Sequence, residues 1–345
     1  MEEQNKKKRT TKIIVCVILS IVLVAVLAVT FFTQYLLGKL NYSDRSQPSL
    51  SQEEIDAIQN GDGETVDPNF TGPNLNGDEI DWGEVYATIG GDDNIVNVML
   101  IGQDRRPGED RARSDSMILC TFNKKTGQIT MTSFLRDLYV KIPGYYSNRI
   151  NAAYTFGGMS LLNETLETNF GIHVDGNVEV DFSQFAQIID LLGGVPMEIR
   201  QDEAENISLV TGIPISAGTH ILNGEQALAY SRIRSLDADG DFSRTSRQRK
   251  VINALLSSYK NASVATLVGM LDDILPMVTT DMGPEKIISH AFSLFPMLAN
   301  ADIVSQRIPA DGTYSGQMID GMAVLVADMD ATRQYLRETL LGTGK

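Results

Sequence analysis

The sequence predicts an α/β fold: a three-layer α-β-α domain around a mixed central sheet, preceded by one transmembrane helix. Three observations lead there. From residue 94 to the C-terminus, short aliphatic runs alternate with longer stretches of helical spacing, the pattern of helices interleaved with strands. Two of those runs flank the turn "KKTG" as a hairpin, so the sheet is mixed. Residues 13–32 run for 20 residues without a charge. At a rise of about 1.5 Å each they span roughly the 30 Å of a bilayer core.

The N-terminal run follows Lys6, Lys7, Lys8, Arg9 and Lys12. Positive charge on that side predicts a basic cytoplasmic tail at 1–12 and a signal-anchor helix at 13–37, with the remainder outside the cell. A cleaved signal peptide is the alternative, but its apolar region is shorter and ends in small residues, whereas this run ends in "TFFTQYLLG". Residues 38–93 are rich in Asp, Glu, Asn, Gly, Ser and Pro and read as a flexible acidic extracytoplasmic linker. The folded domain is expected at 94–345.

Within it, "NIVNVMLIG" is a strand, and "DSMILCTFN" and "QITMTSFL" form the hairpin. "SLLNETLETNF" has helical spacing. "NVEVDFSQFAQIIDLLGG" passes from a strand into a helix stopped by two glycines, and "VPMEI" is strand-like. "LNGEQALAYSRIR" is a helix entering an extended segment. Helices follow at 244–260, 265–277 and 284–298, then a strand in "ADIVSQRIP" and a last helix in "MDATRQYLRETL".

The formal net charge is −15. Residues 1–12 hold five of the 29 bases and two of the 44 acids, so the rest carries 24 bases against 42 acids. Such a surface repels nucleic acid. Cys16 lies in the apolar run and Cys120 in a strand, so no disulfide framework is expected. The three histidines form no metal-ligand pattern.

Against this acidic background the basic residues concentrate in "YSRIR" and "DFSRTSRQRK". Arg232 and Arg234 alternate and would share a face of an extended segment. On the following helix Arg244 and Gln248 are one turn apart, Arg247 lies beside them, and Asp241 or Ser243 would cap the N-terminus. Arg136 ends the strand "TSFL". Guanidinium forks match phosphate oxygens. Surface salt bridges are the competing reading, but the apolar neighbours of "AYSRIR" argue for a half-buried element, where clustered charge needs a concentrated anion. Asp104 and Asp115 fall at strand ends; two carboxylates without histidine suit a hard cation such as Mg²⁺, or else they belong to a solvated loop. Beyond Arg247 an apolar stripe begins with Val251 and Leu255. It reads as core, or as a wall for the tail of an amphiphile whose phosphate head meets the arginines.

Four stretches, "NVMLIGQDRRPGEDRARSDSMILCTFN", "SFLRDLYVKIPGYYSNRINAAYTFGG", "DFSQFAQIIDLLGGVPMEI" and "GTHILNGEQALAYSRIRSLDADGDFSRTSRQRKVINAL", resemble the LytR-CpsA-Psr family in order, most strongly over residues 94–260. The resemblance implies a Mg²⁺-dependent phosphotransferase of the Gram-positive envelope, moving a glycopolymer from a polyprenyl diphosphate carrier to peptidoglycan, at the C6 hydroxyl of N-acetylmuramic acid. By that resemblance Asp104 and Asp115 match the metal-linked aspartates. Arg136, Arg232, Arg234, Asp241, Arg244 and Gln248 match the catalytic motifs, and Arg113 and Arg247 flank them as substrate contacts. The family often has "SIPRDT" where this chain has "SFLRDL", which alters the loop around Arg136. Asp115 and Asp241 are both candidates for the base. A glycopolymer-binding or regulatory module and a diphosphate hydrolase are the rival functions; a DNA-binding regulator is opposed by topology and charge.

Overall fold

A computed structural model describes residues 32–43, 74–75, 77, 80–104, 114–234, 236–237, 240–260, 264–298 and 301–342. The basic tail, residues 13–31 of the expected transmembrane helix, and Arg113 lie outside them. Among the described residues no helix is long and apolar enough to cross a membrane.

The major elements are β1 (Ile95–Gln103), β2 (Ser114–Asn123), β3 (Gln128–Phe134), α1 (Ile150–Phe170), β4 (Gly176–Asp181), α2 (Phe182–Leu191), β5 (Val195–Ile199) and α3 (Gln201–Thr211). They continue as β6 (Gly218–Leu222), α4 (Gly224–Arg232), α5 (Asp241–Tyr259), α6 (Val264–Ile274), α7 (Pro284–Leu298), β7 (Asp302–Ile308), β8 (Tyr314–Ile319), β9 (Met322–Ala327) and α8 (Met329–Leu341). A seven-stranded mixed sheet runs in the order Asn41–Tyr42, Thr279–Thr280, β4, β1, β2, β3, β7. β1 is parallel to β4 and antiparallel to β2; β3 is antiparallel to β2 and parallel to β7.

This register decides where function can sit. The C-terminal end of β1 pairs with the N-terminal end of β2, Gln103 opposite Ser114, and Ile118 of β2 pairs with Ser133 near the end of β3. Asp104, Asp115 and Arg136 therefore emerge at one edge of the sheet. Asp181, at the end of β4, caps α2 there: its side chain accepts from Gln184 N while the Gln184 side chain accepts from Asp181 N.

The two sheet faces are unequal. Met99, Ile101, Met117 and Leu119 point to one side and are at most 1% exposed, packed with Phe156, Leu162, Leu166 and Phe170 of α1 and Leu336 and Leu340 of α8. Each such side chain contributes about 1.5–3 kcal/mol by burial. On the other side Ile118, Cys120 and Met131 meet Ile252 of α5. Their face-mates Val98, Leu100, Phe122, Val178, Val180 and Ile303 are only half-buried. A separate cluster (Ile189, Val195, Ile207, Ala227, Tyr230, Ile233, Val251) joins α2, β5, α3, α4 and α5.

The segment 38–93 is not linker throughout. Ile89 is 1% exposed and bridges to Ile172, and its backbone exchanges hydrogen bonds with Gly171 and His173. The Trp82 carbonyl accepts from Arg333 Nη2 at 2.7 Å. Asn41–Tyr42 adds a parallel edge to the main sheet. Few apolar residues do this anchoring, so composition hides it.

Candidate anion-binding site

The sheet edge and two helix ends converge. α4 ends at Arg232, Ile233 turns the chain with φ −59° and ψ 126°, and α5 begins at Asp241. Asp115 Oδ1 lies 3.2 Å from Arg136 Nη1, 3.7 Å from Arg244 Nη1 and 3.9 Å from Arg234 Nη2. Asp241 Oδ1 lies 2.8 Å from Arg244 Nη2, 3.8 Å from Arg136 Nε and 3.9 Å from Arg234 Nε. Arg136 Nε also lies 3.7 Å from Asp137, which Arg149 shares at 3.4 Å, so four guanidinium groups meet three carboxylates, leaving positive charge in excess. Arg244 is 3% exposed. Burial pulls its pKa down, and Arg234 and Arg136 act in the same direction while Asp241 opposes them.

Arg244 Nε is buried here without a hydrogen bond, the Asp241 carboxylate meets Arg244 only as an ion pair, and Ser114 Oγ and Gln248 Oε1, next to Asp115 and one turn from Arg244 in the chain, are also buried without hydrogen bonds. Such atoms are few in a native fold, and here they mark a place arranged for a polar ligand. The N-terminus of α5 opens beside them with Gly240 as N-cap and no side-chain cap. The expected capping by Asp241 or Ser243 is therefore not found. Asp241 is already the first helical residue, and its carboxylate is held by Arg244.

Arg232 and Arg234 are both exposed. Ile233 is buried between them, and they reach different carboxylates. Arg232 Nη2 donates to Asp104 Oδ2 at 3.2 Å, and its guanidinium lies 4.8 Å from the Phe182 ring centroid. This pair is about half exposed and sits at the rim.

For a metal, no group of three or more His, Cys, Asp or Glu side chains is found among the described residues. Asp104 and Asp115 offer hard oxygen donors only, which fits Mg²⁺ if phosphate oxygens complete its shell.

Two expected contacts lie elsewhere. Arg247 points away from the cluster: Nε donates to Glu203 Oε1 at 2.9 Å, Nη2 to Asp237, and Nη1 to the Ile233 carbonyl at 3.4 Å. Burial works against its charge, but the bonds to Asp237 and Glu203 outweigh that and raise its pKa. Three of its five donors are so engaged, and at 3% exposure the side chain is turned into the core rather than toward the cluster. Glu203 and Asp237 were missed because they lie 44 and 10 residues away in sequence. Val251 is fully buried in the cluster with Tyr230 and Ile233, so it is core rather than a ligand wall. Leu255 is half-buried against that cluster. The residue of α5 that meets the half-covered sheet face is Ile252. A cavity of about 340 Å³ opens elsewhere, lined by Asn163, His173, Asp175, Asp281 and Lys286 among others, and none of the arginines reaches it.

A family model of the LytR_cpsA_psr family matches residues 59–339. The chain is 30% identical over 252 residues to Regulatory protein MsrR of Staphylococcus aureus, covering 72% of this chain and 75% of that one. It is 35% identical over 211 residues to the polyisoprenyl-teichoic acid–peptidoglycan teichoic acid transferase TagT of Bacillus subtilis, covering 59% and 64%. Among solved structures it resembles YwtF (TagT) with bound octaprenyl pyrophosphate lipid, with a TM-score of 0.56, 27% identity, and coverage of 72% of this chain and 91% of that one.

Proposed function

The chain belongs to the LytR_cpsA_psr family, and we propose that it is a membrane-anchored phosphotransferase that moves a glycopolymer from a polyprenyl diphosphate carrier onto peptidoglycan outside the cell. One observation carries this reading: Arg136, Arg234 and Arg244 converge on Asp115 and Asp241 at the edge of a sheet whose adjoining face is apolar and half-covered. A diphosphate matches the first part and a prenyl chain the second. The relatives support the same pairing, since one is named as a teichoic acid transferase and another holds a prenyl pyrophosphate.

In the proposed reaction the C6 hydroxyl of N-acetylmuramic acid attacks the sugar-linked phosphorus. A new O–P bond forms, the bridging P–O bond breaks, and its electron pair leaves on polyprenyl phosphate. The hydroxyl proton passes to a neighbouring carboxylate. Positioning and preorganised charge carry such a transfer. Arg136, Arg234 and Arg244 hold the phosphoryl oxygens, with Arg244 Nε a donor otherwise without a hydrogen bond, and the Gln248 amide nitrogen is the group that would orient one of them. Arg232, stacked on Phe182, closes the rim. Asp104 and Asp115 are the residues that would hold Mg²⁺, which supplies charge neutralisation to the diphosphate when bound. The apolar run at 13–32 and the bases before it support a single-pass anchor with a cytoplasmic N-terminus.

The test is release of polyprenyl phosphate from a lipid-linked donor by purified protein, with and without a peptidoglycan acceptor and Mg²⁺. Acceptor-dependent release, lost in Asp104→Ala and Arg234→Ala, is expected. Full activity in both variants would refute their roles. Release without acceptor would make the protein a hydrolase, and binding without release would make it a carrier-binding module.

A further inference from the structure

Arg249 lies one turn before Ile252 on α5 and is 7% exposed. Unlike Arg247, it pairs with no carboxylate among the described residues. Nη1 donates to Ser133 Oγ at 2.5 Å, and Nε is buried without a hydrogen bond. Burial first, and then the positive charge of Arg307, press the Arg249 pKa down to about 10. Arg307 is the cross-strand partner of Ser133, its own Nε is also buried without a hydrogen bond, and its ion-pair partner Asp311 is 83% exposed. Two guanidiniums thus flank one serine on the sheet. A buried cation facing a second cation costs several kcal/mol unless an anion compensates it.

The location says which anion. Ser133 pairs with Ile118, on the apolar face that Ile252 covers. Arg307 stacks on Phe242, next to Asp241, at 4.5 Å. The Arg249–Arg307 pair therefore stands between the three-arginine cluster and the apolar face. An amphiphile with its diphosphate in the cluster and its chain on that face has its chain-linked phosphate at this junction.

We propose that Arg249 and Arg307 form a second phosphate subsite, which takes the phosphate monoester end of the prenyl carrier and holds polyprenyl phosphate after transfer. This rests on the reading that the chain binds a polyprenyl diphosphate. It also requires Arg249 to be kept at the expense of stability.

The test uses the full-length protein in detergent, with geranylgeranyl phosphate, geranylgeranyl diphosphate, geranylgeraniol and inorganic phosphate as probes in titration calorimetry, and thermal melting without ligand. Arg249→Met should weaken geranylgeranyl phosphate binding by about tenfold or more, as loss of a charged hydrogen bond implies. It should leave geranylgeraniol unaffected and raise the melting temperature of the unliganded protein. Equal binding of geranylgeranyl phosphate by wild type and variant, with diphosphate binding intact in wild type, overturns the subsite alone. A lower melting temperature in Arg249→Met makes the residue a structural prop and overturns it too. Inorganic phosphate bound as tightly as the prenyl ester overturns the lipid assignment. Wild type that binds no prenyl diphosphate overturns the proposed function, and the subsite with it.

Discussion

Glu203→Ala should destabilise the protein and blunt the candidate site together. The Glu203 carboxylate is 4% exposed and the Arg247 side chain 3%. One Glu203 oxygen accepts from Arg247 Nε at 2.9 Å and the other from Arg200 N at 3.0 Å. Removing one partner of a buried ion pair costs about 3–5 kcal/mol, because the other charge stays buried. Arg247 keeps Asp237, so the lower end applies, about 3 kcal/mol. In a domain of this size each kcal/mol shifts the melting temperature by about 2–4 °C, which predicts a fall of about 6–12 °C. The functional half follows from the third Arg247 bond, to the Ile233 carbonyl. Ile233 separates Arg232 from Arg234, so loosening Arg247 lets both drift, and prenyl diphosphate affinity should drop. The assay is thermal melting with a double-mutant cycle against Arg247→Leu. The double variant should lose less than the sum of the singles, since an apolar pair leaves no stranded charge. Strict additivity, or a melting temperature unchanged by Glu203→Ala, would refute the reasoning.

Gly224→Ala would place a Cβ 2.0 Å from the Ala186 carbonyl oxygen, forcing α2 and α4 apart; a loss of about 1–3 kcal/mol should appear as a lower denaturant midpoint. Arg244→Lys keeps the charge but not the fork that reaches both Asp115 and Asp241, so turnover should fall sharply at unchanged net charge, read from initial rates. The Asp237 carboxyl is held below its ordinary 3.8, first by the Arg247 hydrogen bond. Its stabilising contribution is complete above that ordinary value and is lost as pH falls through the lowered one. Acid melting curves of wild type and Asp237→Asn should therefore converge at low pH and separate above it.

Much of this architecture is legible in the sequence because hydrophobic period and local punctuation agree. α7 starts at Pro284 and ends at Leu298 as its spacing predicts, and the β2–β3 hairpin turns at "KKTG". α1 begins earlier than expected, at Ile150, since Gly157 and Gly158 kink it with non-helical angles and break its pattern. α3 was missed because only Glu203, Ala204 and Ile207 are buried in a largely polar stretch. The β8–β9 hairpin carries a local signal of its own: Asp320 and Gly321, with φ of 49° and 80°, form the turn that a DG pair favours. In the site, Arg136, Arg234, Asp115, Asp241 and Arg244 come together, because strand ends and a helix start meet at one edge of the sheet. Arg247 could not be told from Arg244 by spacing, since what separates them is Glu203, brought near by the packing of α3 against α4 and of α4 against α5. Arg249 shows the same limit from the other side: no local pattern reveals a cation buried without a carboxylate.

The central claim is that the arginine cluster grips the diphosphate of a prenyl lipid. Titration of geranylgeranyl diphosphate into the purified protein tests it most directly, comparing Arg136→Ala, Arg234→Ala and Arg244→Ala with Lys250→Ala, an exposed cation on the same helix as Arg244. Loss of a charged hydrogen bond is worth about 1.5–3 kcal/mol, so each arginine variant should bind about tenfold to a hundredfold more weakly while Lys250→Ala binds like wild type. Arginine variants that retain wild-type affinity, or a Lys250→Ala variant that loses as much as they do, would contradict it.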